Sequence, residues 1–199
     1  MKSPRIISAN FVIGAVNMEQ VPDDGLPHLA FFGRSNVGKS SLLNALMGRR
    51  GLVKVSRRPG KTREINFFLV NEAFYFADLP GIGYARVAPH IKEKMEKIIK
   101  DYVENSPHLR GIVYLIDMRR AGTSLDIETV NILRDLGRPV LIVGGKRDKL
   151  NRKEFVQANK DMRQRFNLEQ DPIAVSVTRK IGLDTLWSSM VEAIAQPDI

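Results

Sequence analysis

The chain of 199 residues contains no cysteine, which excludes disulfides, thiolate metal sites and redox cysteine chemistry. It has only three histidines, His28, His90 and His108. Their spacing is not that of a metal site, so we expect ordinary loop residues. No window approaches the roughly 18 uncharged apolar residues of a membrane span. The first residues also lack the apolar core of a signal peptide, so we expect a soluble, cytoplasmic protein without a membrane span.

The remaining composition is that of a globular protein, with 43% hydrophobic and 27% charged residues. This length predicts one domain over residues 1–199, with roughly residues 1–22 forming an extension packed on or near it. We expect the extreme amino-terminal segment and residues 196–199 to be loosely held. The net charge of +9 favours a polyanionic partner without identifying it, and a merely soluble basic surface is the alternative.

Short apolar runs alternate with amphipathic stretches along the chain. Six runs rich in β-branched or aromatic residues predict buried strands at 29–32, 65–70, 74–77, 111–116, 140–143 and 173–177. Three- and four-residue apolar spacing predicts helices at 40–47, 91–103, 125–136, 153–166 and 183–194. The alternation predicts a three-layer α/β fold, with helices on both faces of a mostly parallel six-stranded sheet. The linker 71–73 is short enough only for a hairpin, so one strand runs antiparallel at or near an edge.

The segment G-R-S-N-V-G-K-S-S, called the phosphate loop below, fits the P-loop pattern G-x-x-x-x-G-K-[ST] between a strand and a helix. Its residues are Gly33, Arg34, Ser35, Asn36, Val37, Gly38, Lys39, Ser40 and Ser41. Backbone amides at a helix amino terminus favour a phosphate chain. We expect Lys39 to bind the β- and γ-phosphate oxygens and the Ser40 hydroxyl to ligate Mg²⁺.

The segment D-L-P-G directly follows the predicted strand over 74–77. Its residues are Asp78, Leu79, Pro80 and Gly81. A carboxylate at the carboxyl end of a strand faces the crevice where ligands bind in such sheets. We expect Asp78 to hold Mg²⁺ through a water molecule and the Gly81 amide to bind a γ-phosphate.

A third segment, R-R-P-G-K-T-R, precedes the hairpin and contains Gly60, Lys61 and Thr62. The Thr62 hydroxyl is expected to complete the Mg²⁺ shell when a γ-phosphate is present and to leave when it is lost. The alternative is a threonine that only favours the start of a strand.

Together, P-G-K-T-R-E-I-N, D-L-P-G-I-G-Y-A and the phosphate loop resemble the EngB (YihA/YsxC) family of bacterial GTPases, within the Ras-like and TrmE-Era P-loop GTPases. The resemblance covers nearly the whole chain. It implies a Ras-like GTPase domain, Mg²⁺-dependent binding of GTP and GDP, and a role in assembly of the large (50S) ribosomal subunit and in cell division and septation. We also expect an rRNA partner, no DNA partner and a monomer.

The resemblance further assigns guanine recognition to a segment that we call the guanine loop, made of Gly145, Lys146, Arg147 and Asp148. Asp148 is expected to accept hydrogen bonds from the guanine ring N–H and amine, and Lys146 to lay its stem along the base. Relatives have Thr or Asn where this chain has Gly145. Restoring either side chain should tighten GDP binding by up to about tenfold.

A last base contact is assigned by the same resemblance to V-S-V-T-R-K-I-G, where Ser176 and Val177 are expected to offer mainly backbone N–H groups to guanine O6. A simple strand-to-helix loop is the alternative there.

Hydrolysis is expected to be slow because Ile82 stands where Ras-like enzymes have a glutamine that orients the attacking water. We expect the residues that take part in catalysis to be Lys39, Thr62, Gly81 and Asn36. In some related GTPases an asparagine at the position of Asn36 helps to hold K⁺, which would supply positive charge during hydrolysis. We therefore expect hydrolysis to be slow without potassium or a ribosomal activator. The alternative is that Asn36 only shapes the loop.

Two clusters of basic residues favour docking on rRNA, although such runs are usually solvated faces. They are Arg49, Arg50, Arg57, Arg58, Lys61 and Arg63, followed by Lys92, Lys94, Lys97 and Lys100. Two other functions stay open from the residues alone: an ATP-using P-loop enzyme, and a basic RNA-binding module with a vestigial nucleotide site.

Overall fold

The computed structural model describes residues 6–53, 64–82 and 88–195. The strands in these ranges are β1 Ala9–Ala15, β2 His28–Gly33, β3 Ile65–Val70, β4 Phe74–Asp78, β5 Leu109–Asp117, β6 Val140–Gly145 and β7 Ile173–Ala174. The α-helices are α1 Lys39–Leu46, α2 Pro89–Asn105, α3 Ser124–Asp135, α4 Arg152–Arg165 and α5 Leu183–Ile194. In the described part of the chain, none of these helices is long and apolar enough to cross a membrane.

One sheet contains all seven strands in the order β1-β3-β4-β2-β5-β6-β7. The mostly parallel α/β architecture is confirmed, and so is the antiparallel hairpin of β3 and β4. The expected count of six strands is wrong, because residues 9–15 add β1 antiparallel to β3. Strand β3 is therefore second from the edge. Residues 9–15 are tied into the sheet by this pairing. The two ends of the chain that we expected to be loosely held, at the extreme amino terminus and at residues 196–199, lie outside the described residues.

The sheet is covered on both faces. Successive residues of β2 alternate between two apolar clusters, since Phe31 belongs to the cluster packed by α1 and α5, and Phe32 to the cluster packed by α2, α3 and α4. Alternate side chains of a strand point to opposite faces. The chain therefore has the three layers expected from its sequence, and the carboxyl ends of β2, β4, β5 and β6 meet at one edge of the sheet.

Two histidines are not the loop residues that we expected. His28 begins β2 and is fully buried, with its Nδ1 3.3 Å from the Tyr102 hydroxyl. Burial, reinforced by the neighbouring His108, lowers the pKa of His28 to about 4. His90 lies in the first turn of α2. Only His108 lies in a turn, where its Nε2 is 2.7 Å from Asp23 Oδ1.

Candidate functional site

The phosphate loop connects the end of β2 to α1 through two left-handed residues. Asn36 has φ 62° and Gly38 has φ 111°. At the start of the loop, Gly33 has φ 143°, and a Cβ there would lie 2.4 Å from the Leu115 carbonyl oxygen. Glycine is therefore required at position 33 by both the backbone angle and the close approach of β5.

The amino terminus of α1 supplies free backbone donors at the end of this loop. The first helical hydrogen bond is from Leu42 N–H to the Gly38 carbonyl, at 2.9 Å. The amides of Lys39, Ser40 and Ser41 thus precede the first helical bond and have no acceptor within the helix. They stand at the positive end of the helix dipole, which is the environment that binds phosphate groups.

The D-L-P-G segment runs beside the phosphate loop. Leu79 N–H donates to the Phe31 carbonyl at 3.0 Å, and Ile82 N–H donates to the Gly33 carbonyl at 3.3 Å. In return, Ser35 N–H donates to the Ile82 carbonyl at 3.2 Å. These bonds extend the β2–β4 pairing beyond the strands, so Gly81 is held alongside the loop that would carry the phosphates.

Lys39 and Asp78 form an ion pair at the centre of the site, with Lys39 Nζ donating to Asp78 Oδ1. Both side chains are largely buried. The ammonium and the carboxylate neutralise each other, and a single unpaired charge buried at this place would destabilise the fold. The described residues contain no group of three or more His, Asp or Glu side chains that could hold a metal ion. The donors Ser40 and Asp78 fit Mg²⁺ instead, since this ion usually takes few protein ligands beside phosphates and waters.

The guanine loop is fastened to the phosphate loop by Lys146. This residue is left-handed, with φ 61°. Its Nζ donates to the Asn36 carbonyl at 2.9 Å and to Asp117 Oδ2 at 3.0 Å. Arg119 also donates to Asp117 at 2.9 and 2.6 Å. Burial of Asp117 opposes ionisation, but these hydrogen bonds from Arg119 and Lys146 outweigh it and lower the pKa of Asp117 to about 2.

Asp148 is held by the loop that follows β7. Ser176 Oγ donates to Asp148 Oδ1 at 2.7 Å, and this bond is the main reason why the pKa of Asp148 is lowered. The last strand is shorter than expected, since β7 ends at Ala174 and the Ser176 backbone pairs with Ile181 instead. The chain turns here, and the turn is what brings the Ser176 hydroxyl to the carboxylate.

A cleft of about 230 Å³ lies between the phosphate loop and the guanine loop. It is lined by Val37, Gly38, Ser41, Leu42, Leu115, Gly145, Lys146, Asp148, Lys149, Val175, Val177 and Thr178. Three of the four guanine-loop residues therefore meet there. The Arg147 guanidinium instead lies 3.7 Å above the ring of Phe155 and donates to the Leu150 carbonyl.

Gly145 has a side chain packed against it. A Cβ at this position would lie 3.2 Å from Leu115 Cδ1 and 3.5 Å from the Ile116 carbonyl oxygen. Leu115 also lines the cleft. The volume next to the loop that a Thr or Asn side chain would use is thus partly filled by the leucine of β5.

A larger groove of about 630 Å³ lies between α2 and α3. It meets the site only at Gly81 and Ile82, and the Ile82 side chain lines it together with Phe32. Its lining is mostly apolar and includes no residue of the phosphate loop. The smaller cleft is therefore the candidate nucleotide site.

Three expected site residues, Gly60, Lys61 and Thr62, lie outside the described residues. Three others were missed from the sequence: Asp117, Leu115 and the Ser176 hydroxyl. An aspartate at the carboxyl end of a parallel strand was a usable signal for Asp117. Nothing in the sequence pairs Leu115 with Gly145 or Ser176 with Asp148, because those contacts depend on how separate strands align.

The sheet order and the phosphate loop are those of a P-loop GTPase domain, and residues 28–146 match the family described as 50S ribosome-binding GTPases. Guanine nucleotide binding and GTP hydrolysis are the chemistry of this class. The chain is 38% identical to a probable GTP-binding protein EngB of Treponema denticola, over 96% of this chain and 100% of that protein. The chain belongs to the EngB family of GTP-binding proteins.

Solved structures agree with this fold. The crystal structure of a probable GTP-binding protein EngB superposes with a TM-score of 0.69 at 24% identity, covering 84% of this chain and 98% of that one. Aquifex aeolicus Era, solved with GDP and AlF₄⁻, has a TM-score of 0.69 at 26% identity, covering 87% of this chain and 58% of that one. These structures confirm the fold, and the resemblance to EngB inferred from the sequence is confirmed by the 38% identity to the Treponema denticola protein.

Proposed function

We propose that the chain is a slow, Mg²⁺-dependent GTPase switch that acts in assembly of the large ribosomal subunit and is needed for normal cell division and septation. The observation that carries the nucleotide part is the bond from Lys146 Nζ to the Asn36 carbonyl, because it joins a base-binding loop to a phosphate-binding loop across one cleft. The ribosomal part is supported by the description of the matching family. The septation part is supported by the family resemblance alone.

In this proposal the phosphates bind the amides at the start of α1. Lys39 leaves Asp78 for the β- and γ-phosphate oxygens, and the carboxylate freed in this way holds Mg²⁺ through a water molecule. Mg²⁺, when bound, would supply positive charge that neutralises the phosphates. Ser40, Asp78 and, when GTP is bound, Thr62 are the residues that would hold it, and the Gly81 amide binds the γ-phosphate.

The guanine base occupies the other end of the cleft. Asp148 accepts its ring N–H and amine, and the Lys146 stem covers one face. Of the two backbone donors expected for guanine O6, only the Val177 amide is proposed here, because the Ser176 N–H already donates to the Ile181 carbonyl at 3.0 Å. The Asp148 carboxylate is already oriented by Ser176 Oγ, so it is ordered before the base arrives, and preorganisation of this kind increases affinity.

Titration with fluorescently labelled GDP and ADP tests the nucleotide proposal. GDP should bind at least about 100-fold more tightly, because adenine lacks the paired donors that Asp148 accepts and leaves the carboxylate unpaired. Equal affinity would favour an ATP-using enzyme, and failure of both to bind would favour an RNA-binding module with a vestigial site.

Slow hydrolysis is proposed because Ile82 offers no group that orients water and packs its side chain toward the apolar groove. Asn36, exposed at the left-handed turn of the phosphate loop, is proposed to help hold K⁺ near the transferred phosphoryl group. Turnover should then be several-fold faster in KCl than in NaCl at equal ionic strength. Equal rates would leave Asn36 with a role in loop shape only.

The ribosomal part is tested by cosedimentation with large ribosomal subunits in the presence of GDP or a non-hydrolysable GTP analogue. Binding should be tighter with the analogue, because only the γ-phosphate engages Gly81 and Thr62. The Lys39→Ala variant, which should bind neither nucleotide well, is the matched control for nucleotide dependence. Equal sedimentation in both nucleotides would contradict the switch.

A further inference from the structure

Helix α2, whose lysines suggested a basic surface in the sequence, has no net positive charge. Helix α2 contains four lysines, but it also contains four acidic residues, and two i,i+4 ion pairs, Lys92–Glu96 and Lys100–Glu104, use half of them. Helix α4 contains five basic residues against two acidic ones. Among the described helices, α4 therefore has the largest excess of positive charge.

Four of the basic residues of α4 share one flank, which we call the basic stripe: Arg152, Lys153, Lys160 and Arg163. At 3.6 residues per turn they fall within about 100° of the helix circumference. All four are exposed, whereas Ala158 and Met162 face the core. The stripe extends for about 16 Å along the helix axis.

The acidic residues of α4 do not neutralise this flank. Glu154 is used in the capping box with Asn151, and Asp161 accepts a hydrogen bond from Gln157. Within the described ranges, no side chain of the stripe forms an ion pair; Arg163 only donates to the Leu168 carbonyl at 3.3 Å. Exposed, unpaired cations arranged in a row attract a polyanion and release its counterions.

The chemistry of the stripe indicates which polyanion fits. Proteins that bind unpaired bases use exposed aromatic side chains for stacking, and the only large apolar residue between the stripe residues is Val156, which is 62% exposed. Base stacking is therefore absent from this flank of α4. Lysine and arginine in a row instead match the phosphates of a helical RNA, whose shape and backbone are what proteins contact.

We propose that the basic stripe of α4 is the RNA-docking surface of this chain and that it binds the phosphate backbone of a duplex RNA segment. This inference rests on the proposed ribosomal function and names the surface that serves it. The stripe starts just after Asn151, and Lys149 lines the nucleotide cleft. The RNA therefore lies beside the base end of the nucleotide, away from the position of the γ-phosphate.

The experiment measures binding of the full chain to an RNA duplex of about 16 base pairs across a series of salt concentrations. The double variant Lys153→Ala/Lys160→Ala should weaken binding by about tenfold and reduce the slope of log K against log salt by about 2. The loss should be the same with GDP as with a GTP analogue. Lys153→Arg/Lys160→Arg should restore both affinity and slope.

The matched control is Lys94→Ala/Lys97→Ala on α2, which removes the same charge from exposed positions. It should change the slope by much less. Equal effects of the two double variants would show that only total charge matters, and would overturn the proposal. Tighter binding to polyglutamate than to duplex RNA would also overturn it, in favour of an acidic protein partner. A different result would count against the proposed switch and leave this proposal intact: weaker duplex binding in Lys153→Ala/Lys160→Ala, together with cosedimentation with large subunits that is the same in GDP and in the GTP analogue.

Discussion

The ammonium group of Lys146 is 2.9 Å from the main-chain carbonyl oxygen of Asn36, so one side chain of the guanine loop also holds the turn of the phosphate loop. Asp117 fixes the other side of that ammonium group at 3.0 Å. The two halves of the nucleotide site are thus joined before a nucleotide binds. Gly145 has no side chain for such bracing, and Asp117 and Lys146 provide the brace.

The Asp117→Asn variant should weaken GDP binding by about three- to tenfold, because a neutral amide holds Lys146 less well than a carboxylate does. The ratio of GDP to ADP affinity should stay the same, since Asp148 still selects the base. Both are measured by titration with labelled nucleotides. Arg119→Ala, which removes the outer partner of Asp117, is the control and should have a smaller effect. A lost preference for GDP in Asp117→Asn would contradict a role that is purely positional.

Acid titration gives an independent check on Asp117. Its pKa of about 2 lies below the ordinary value of 3.8, so the folded state binds this proton less readily than the unfolded state does. The stabilisation from Asp117 is therefore present above about pH 4 and is lost as the pH falls toward 2. In Asp117→Asn the free energy of unfolding should decrease by about 1–2 kcal/mol at pH 7 and by much less near pH 2. Urea titrations at both pH values measure the difference.

Gly145→Asn alone should bring little gain in GDP affinity, contrary to what the sequence suggested, because the new Cβ would press on Leu115 at 3.2 Å. Combined with Leu115→Val, which shortens the obstructing side chain, it should tighten GDP binding by up to about tenfold. Leu115→Val by itself is the control for the loss of core packing. An equal gain in the single and the double variants would mean that Leu115 gives way without cost.

Asp148→Ala should lower GDP affinity by about 100-fold and leave ADP affinity unchanged, because two hydrogen bonds from guanine to a charged acceptor are lost. Because the pKa of Asp148 is lowered, chiefly by the bond from Ser176, the preference for guanine should stay constant from pH 8 down to about 5. Ser176→Ala should retain the preference with a smaller loss of affinity. Competition titrations at several pH values provide the measurement. If Asp148→Ala still bound GDP more tightly than ADP, a residue other than Asp148 would be responsible for selecting guanine.

His28 should make the protein sensitive to mild acid. Its folded-state pKa of about 4 lies below the ordinary 6.5, so the unfolded state takes up the proton first. Stability is therefore complete above about pH 6.5 and decreases as the pH falls toward 4, by about 3 kcal/mol. His28→Phe keeps the ring packing and should remove most of this slope in urea titrations. His90→Gln, at an exposed histidine of α2, should retain it.

The sequence predicted most of the fold because its helices and central strands have strong periodic patterns. All five helices and six strands were located, and α5 matches residue for residue. Strand β1 was missed although residues 11–13 are all apolar, because its place at the sheet edge depends on pairing with β3, at least 50 residues away in sequence. The phosphate loop and the guanine loop were recognisable because each is a contiguous segment with fixed spacing.

The contacts that tune the site could not be predicted. Asp117 and Lys146, and likewise Ser176 and Asp148, are 28 or 29 residues apart in sequence and meet only because β5, β6 and β7 are neighbours in register. Tertiary alignment also decides the role of Leu115. The charge of α2 was misjudged for a simpler reason, since counting lysines without their i,i+4 acidic partners overstates the basic character of a helix.

The outer strands of the sheet have a consequence for the behaviour of the protein at high concentration. Strand β1 changes register between Phe11 and Ile13, and β7 at the opposite edge has only two residues. A bulge and a very short strand are two ways in which natural sheets prevent a second molecule from adding its own strand. Although Phe11 and Val12 are exposed, neither edge offers a long, flat template, so the protein is protected against edge-to-edge aggregation.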